Sequence, residues 1–166
     1  LKSLPTVNYP LNNDHINLNS DILFEDNKKP YLSYFDLPNL LSAIYRSKNK
    51  INILDYGAAN LNLYYFLNQN FENIRYYFED QLIIKKKVDE IIKEKKLQNI
   101  FLNGTSPIYE DFDIIYFGSS LQYINDYKSC LRNCCKKTKY ILIAQLPVFF
   151  NSALPETVVL KQLNMH

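Results

Sequence analysis

Continuously apolar runs separated by helix-spaced segments constrain this chain more than any other feature. The runs "INILDY" (51–56), "IRYYFE" (74–79), "FDIIYFG" (112–118) and "KYILIAQL" (139–146) lack the polar alternation of a strand with one wet face. A shorter run, "NIFLN", spans 99–103. Between them, the spacing predicts helices at 60–69, at 82–97 ("LIIKKKVDEIIKEKKL") and at 125–137 ("NDYKSCLRNCCKK"). The second turns Ile84, Val88, Ile91 and Ile92 inward and its lysines outward. The third sets Tyr127, Cys130, Leu131, Cys134 and Cys135 on one side. An earlier helix begins at "DLPNLLSAIYRS", with Asp36 as N-cap and Leu37, Leu40, Leu41, Ile44 and Tyr45 on one face. Strands this apolar must be covered on both faces, so the pattern predicts an α/β fold. It is an open, mostly parallel sheet with helices on both faces, spanning 31–166 as a single domain. Residues 1–30, rich in Asn, Asp and Pro, read as an irregular arm. The late run "TVVLKQL" resembles one more strand. A sheet of this kind ordinarily has one or two further strands, so either the chain continues past His166 or its C-terminal strands are missing.

The 166 residues suffice for one sizeable core. A net charge of +2 gives no electrostatic case for a nucleic-acid partner, and the lysines of 82–97 read as a solvated helix face. No apolar run approaches the roughly 18–20 residues needed to span a bilayer. Three clustered cysteines do not form a disulfide framework, which predicts a reducing, cytoplasmic compartment. With no histidine near them, they read as core-facing thiols, and no metal site is expected.

The only three glycines, Gly57, Gly104 and Gly118, each follow or close a predicted parallel strand. Open α/β sheets bind ligands outside the carboxyl ends of their strands. Either the glycines mark such a ligand edge or they simply serve the turns found there. Glu79 ends the second strand, about 20 residues after the first loop, where an acid can accept from both hydroxyls of a ribose. The alternative is an ordinary turn glutamate, since Asp80 lies beside it. Asp55 precedes the first loop glycine. A carboxylate there repels a pyrophosphate and suits a cationic ligand, which disfavours NAD and favours S-adenosylmethionine.

These residues resemble a known family. "ILDYGAAN" resembles motif I of the class I S-adenosylmethionine-dependent methyltransferases, usually hhDhGxGxG. "YYFED" resembles their second acidic motif, and "FDIIYFGSSLQYINDY" their fourth-strand motif. More narrowly, "LDYGAA", "SSLQYI" and "YILIAQLPV" are similar to methyltransferases found with surface-polysaccharide gene clusters. The resemblance runs over roughly residues 31 to 163 and implies a Rossmann-like fold. It implies that Asp55, Gly57 and Ala59 line the methionine and ribose side of the cofactor, and that Glu79 holds the ribose diol. Asn103, Gly104 and Thr105 would lie near adenine, and Gly118 and Ser119 under the sulfonium. Ser120, Gln122 and Tyr123 would sit at the acceptor mouth. Gln122 and Tyr123, with His15 from the arm, are the candidates for a catalytic role. For each the plainer alternative is helix packing or simple solvation. The tyrosines of "YLSYF" (31–35) would either cover the cofactor or pack on the sheet edge.

The sequence departs from the family pattern in the loop. Ala59 replaces the second glycine, which is tolerable at negative φ, and Leu61 replaces the third, which fits if it points into the core. The function expected is methyl transfer to a small molecule or glycan-related sugar acceptor, at oxygen or nitrogen. A non-catalytic, partner-binding domain of the same fold is the first rival. An NAD-binding oxidoreductase is the second.

Overall fold

The computed structural model describes residues 36–45, 49–104 and 111–144. The arm at 1–30 with His15, the "YLSYF" tyrosines, Thr105 and the "TVVLKQL" run lie outside the described residues. The order of elements is α1 (Asp36–Tyr45), β1 (Ile51–Tyr56), α2 (Asn62–Asn70), β2 (Ile74–Glu79), α3 (Leu82–Glu94), β3 (Ile100–Leu102) and β4 (Phe112–Gly118). A short 3-10 turn (Leu121–Tyr123), α4 (Tyr127–Cys134) and β5 (Thr138–Ala144) complete it. All five strands pair in parallel, in the order β3-β2-β1-β4-β5. The predicted α/β, Rossmann-like sheet is the one observed.

The two faces of the sheet are separately packed. Ile53, Tyr76, Phe78, Ile100 and Ile114 form one buried cluster with Leu37 and Leu41 of α1, Leu63 and Leu67 of α2, and Val88 of α3. Leu54, Tyr56, Tyr77, Ile115 and Phe117 face the other way, onto Leu121, Ile124 and the thiols of Cys130 and Cys134. Alternation of side chains along a strand sends neighbours to opposite layers, and both are apolar because both are covered.

The helices are shorter than their sequence patterns. The backbone of Asn62 donates to Asn60 Oδ1 at 2.9 Å, a local turn that delays α2 beyond the expected residue 60. Helix α3 stops at Glu94 rather than 97. Lys96 turns left-handed at φ 50, and the Leu97 N–H reaches back to the Ile92 carbonyl. Helix α4 starts when the Asp126 side chain accepts from the Ser129 N–H, and ends at Cys134. The expected inward stripe on α4 is therefore only partly formed. Cys130 and Cys134 are fully buried, whereas Tyr127 is 45% exposed and Cys135, just past the helix end, faces solvent. No helix among the described residues is long and apolar enough to cross a membrane.

Candidate functional site

Strand order reverses between β1 and β4, since β1 leads out to β2 and β3 while the chain returns to place β4 on its other side. Such a reversal opens a crevice at the carboxyl edge of the sheet. Tyr56 and Glu79 are in register, so the loops after β1 and β2 lie side by side there.

The loop after β1 is folded onto the end of β2. Gly57 sits at φ 73, a conformation that favours glycine. Its N–H and that of Ala58 donate to the Glu79 carbonyl at 2.8 and 3.3 Å. The Ala59 N–H donates to Asp80 Oδ2 at 2.8 Å, and the Gln81 N–H to Asp80 Oδ1 at 2.7 Å. Leu61 is completely buried in the core and Ala58 packs against the same cluster, so the position of the third family glycine is a packing site here. The condition under which Ala59 costs little is not met, since its φ is 57 rather than negative. An alanine held left-handed costs on the order of 1 kcal/mol. Ala59→Gly is therefore expected to stabilise the protein by about 0.5–1 kcal/mol. Urea denaturation reads the change, and a loss of stability would refute the strain.

Three carboxylates gather at this corner. Asp55 is 4% exposed and its Oδ2 accepts from the Tyr76 hydroxyl at 2.6 Å. Burial pushes its pKa up to about 7. The Tyr76 hydrogen bond opposes that shift, and the charge of Asp80 adds to it. Glu79 is nearly buried and accepts from Lys85 Nζ on Oε1 at 3.0 Å and from Asn103 Nδ2 on Oε2 at 2.7 Å. Burial raises its pKa also, against the lowering effect of Lys85 and Asn103. Asp80 is wholly buried. In the sequence it reads only as a neighbour of Glu79, yet its carboxylate ties the β1 loop to the start of α3. Adjacency in sequence held no signal of that role. The one available hint was an acid between a strand end and a helix start.

Beyond β3, the Asn103 N–H donates to the Phe78 carbonyl at 2.9 Å, and Gly104 turns at φ 80. The structure thus brings Asn103 against Glu79, while Thr105 lies outside the described residues.

At the end of β4, Gly118 is explained by space. A Cβ there would lie 2.7 Å from Cε1 and 3.0 Å from the hydroxyl oxygen of Tyr116, two residues earlier on the same face. Tyr116 is buried and has little room to move. Gly118→Ala is expected to cost about 1–3 kcal/mol through overpacking, and Tyr116→Leu added to it is expected to restore part of that. Equal stability of Gly118→Ala and wild type in urea would contradict this contact. Ser119 follows at φ 60, its N–H on the Ala144 carbonyl at 3.0 Å. Ser120 is buried, and its hydroxyl donates to the Tyr56 carbonyl, fastening the β4 turn to the end of β1. Gln122 is exposed, with Nε2 on the Ser119 carbonyl at 2.8 Å and on its hydroxyl at 3.2 Å. Tyr123 is half-buried, and its N–H closes the 3-10 turn on Ser120. Ser119 and Ser120 thus lie at the carboxyl edge beside the β1 loop. Gln122 is bound to its own turn.

Among the described residues no group of three or more His, Cys, Asp and Glu side chains is arranged to hold a metal ion.

No family model matches the chain. The telomerase reverse transcriptase of Tetrahymena thermophila is 31% identical over 112 residues, 66% of this chain but 10% of that protein. The chain thus spans about a tenth of the length of this curated relative. Among solved structures, a precorrin-6y C5,15-methyltransferase from Geobacter metallireducens aligns at a TM-score of 0.42 and 16% identity, over 65% of this chain and 61% of that one. A coclaurine N-methyltransferase bound to N-methylheliamine and SAH aligns at 0.43 and 18% identity, over 68% and 35% of the two chains. A SAM-dependent methyltransferase from Aquifex aeolicus aligns at 0.43 and 18% identity, over 66% and 65%. All three are methyltransferases.

Proposed function

We propose that the chain is the cofactor-binding domain of an S-adenosylmethionine-dependent methyltransferase. The observation that supports this reading best is the gathering of Asp55, Glu79 and Asp80, all nearly or fully buried, around the Gly57 turn at the reversal of strand order. Asn62 Oδ1, in the first turn of α2, is a further buried acceptor with no donor among the described residues. A corner this rich in acceptors suits a ligand that carries hydroxyl donors and positive charge. S-adenosylmethionine has a ribose diol, an ammonium and a sulfonium, and supplies an electrophilic methyl group. Glu79 would hold the diol, and Asp55 with Asp80 would set the negative potential for the cationic part. Gly57 lets the backbone approach closely. Asn103 and Gly104 would border adenine, and Gly118 and Ser119 the transferred methyl.

The same geometry argues against a dinucleotide. The N–H groups of residues 57–59 are directed at the Glu79 carbonyl and the Asp80 carboxylate, so no set of free donors is offered to a pyrophosphate. The acceptor we propose is a sugar or other small molecule, supported by the resemblance of "SSLQYI" and "YILIAQLPV" alone. A second reading, a partner-binding domain without catalysis, draws on one observation: both oxygens of Glu79 are already engaged by Lys85 and Asn103. Titration calorimetry with S-adenosylmethionine, S-adenosylhomocysteine and NAD separates the readings. The proposal expects heat of binding with the first two and none with NAD. Binding of NAD alone, or of nothing, would refute it.

A further inference from the structure

The carboxylate that would receive the ribose is held by the chain's own donors. Lys85 lies in α3, four residues after Gln81, and its Nζ donates to Glu79 Oε1 at 3.0 Å and to the Asn103 carbonyl at 3.3 Å. Asn103 Nδ2 holds Oε2. The Lys85 and Glu79 side chains are only 17% and 9% exposed, so water screens this pair far less than a surface ion pair. Helix electrostatics do not explain the lysine, because a cation near a helix N-terminus opposes the helix dipole. What the lysine does is occupy one oxygen of Glu79 while Asn103 occupies the other.

Resting on the cofactor reading above, we propose that Lys85 is a specificity-determining latch on Glu79, released only by a ligand that brings a vicinal pair of hydroxyl donors. Two O–H groups replace the two N–H donors one for one. A ligand with a single hydroxyl replaces only one of the two donors, and the other carboxylate oxygen keeps Lys85 or Asn103. The work of opening the latch lowers apparent affinity by the fraction of molecules that are open. Lys85 acts through Glu79 and is a positioning residue, not a catalytic one.

The test uses S-adenosylhomocysteine as probe, with wild type, Lys85→Met and Lys85→Arg compared by calorimetry at a pH that keeps Glu79 ionised. Methionine keeps the apolar stem and removes the charge, whereas arginine keeps the ion pair. The latch predicts binding about tenfold tighter in Lys85→Met and within about twofold of wild type in Lys85→Arg. A merely structural lysine predicts the opposite, weaker binding in Lys85→Met. In wild type, saturation with the probe should also increase acetylation of Lys85 by acetic anhydride, read by mass spectrometry. That second measurement stands even if Lys85→Met does not fold. Probe binding with unchanged or weaker affinity in Lys85→Met, or with unchanged or reduced labelling of Lys85, overturns the latch and leaves the cofactor reading intact. Absence of probe binding in all three proteins overturns the cofactor reading, and the latch with it.

Discussion

Asp55→Asn is expected to make the protein more stable above pH 7 and to flatten its stability between about pH 4 and 7. Asp55 has a folded pKa of about 7 against an ordinary value of 3.8, because burial opposes its charge. The folded state therefore binds the proton more tightly than the unfolded chain. The stability that this proton brings is complete below the unfolded pKa and is lost as pH rises through 7. The shift corresponds to at most about 4 kcal/mol. Glu79, also shifted up by burial, slopes the same way. Asparagine has nearly the same shape and keeps an acceptor for the Tyr76 hydroxyl, while it carries no charge to bury. Urea denaturation of wild type and variant from pH 5 to 8.5 reads the effect, with a gain of about 2–4 kcal/mol expected at pH 8. A variant less stable than wild type at pH 8, with an unchanged slope, would contradict the assignment of Asp55 as a buried, half-neutral acid. The same change should weaken S-adenosylhomocysteine binding, since it removes charge from the side facing the ammonium. A residue that costs stability yet supports binding is the pattern expected of a functional site.

Asp80→Ala should have a comparable effect of opposite sign. The Asp80 carboxylate accepts from the Ala59 and Gln81 N–H groups, and alanine leaves both without that acceptor. Each is a charge-assisted bond worth on the order of 1.5–3 kcal/mol. Removing the buried charge and its repulsion on Asp55 offsets part of the loss. A net destabilisation of about 2–4 kcal/mol is expected, with Asp80→Asn less severe because one acceptor remains. The pKa of Asp55 should fall in Asp80→Ala, measured by carboxyl NMR, because the Asp80 charge holds it up. A stable Asp80→Ala with Asp55 still near 7 would contradict the coupling of the two loops.

The sheet was legible in the sequence because burial on both faces forces continuous apolar runs, and the strand length of these runs, between helix-spaced segments, separates them from buried helices. Positions at strand ends were legible for the same reason: once "INILDY" and "IRYYFE" are strands, Gly57 and Glu79 must fall on the carboxyl edge. What the side chains do there was not legible. Glu79 sits where a ribose-binding acid belongs, yet its partners Lys85 and Asn103 come from α3 and the end of β3, and their meeting depends on the packed edge. The left-handed turn at Ala59 depends on Asp80 pulling its N–H, a contact across 21 residues. Gly118 reads from sequence as either a ligand-edge or a turn glycine, and the Tyr116 ring adds a spatial requirement that no sequence pattern shows. A helix running from 125 to 137 would set Cys135 and Tyr127 on an inward stripe. With α4 only eight residues long, Cys135 lies beyond it and Tyr127 opens its first, exposed turn.

Ligand is expected to bind at the carboxyl edge, where strand order reverses. A cleft of about 570 Å³ lies at the opposite, amino ends of β4 and β5, lined by Leu40, Phe112, Lys137, Thr138 and Tyr140 among others. Amide chemical shifts recorded during titration with S-adenosylhomocysteine distinguish the two. The account predicts saturable shifts at Gly57, Ala59, Glu79, Asn103, Gly104 and Ser119, with those of Phe112, Lys137 and Thr138 unmoved. Shifts confined to the amino-end cleft, or none at any concentration of ligand, would contradict it.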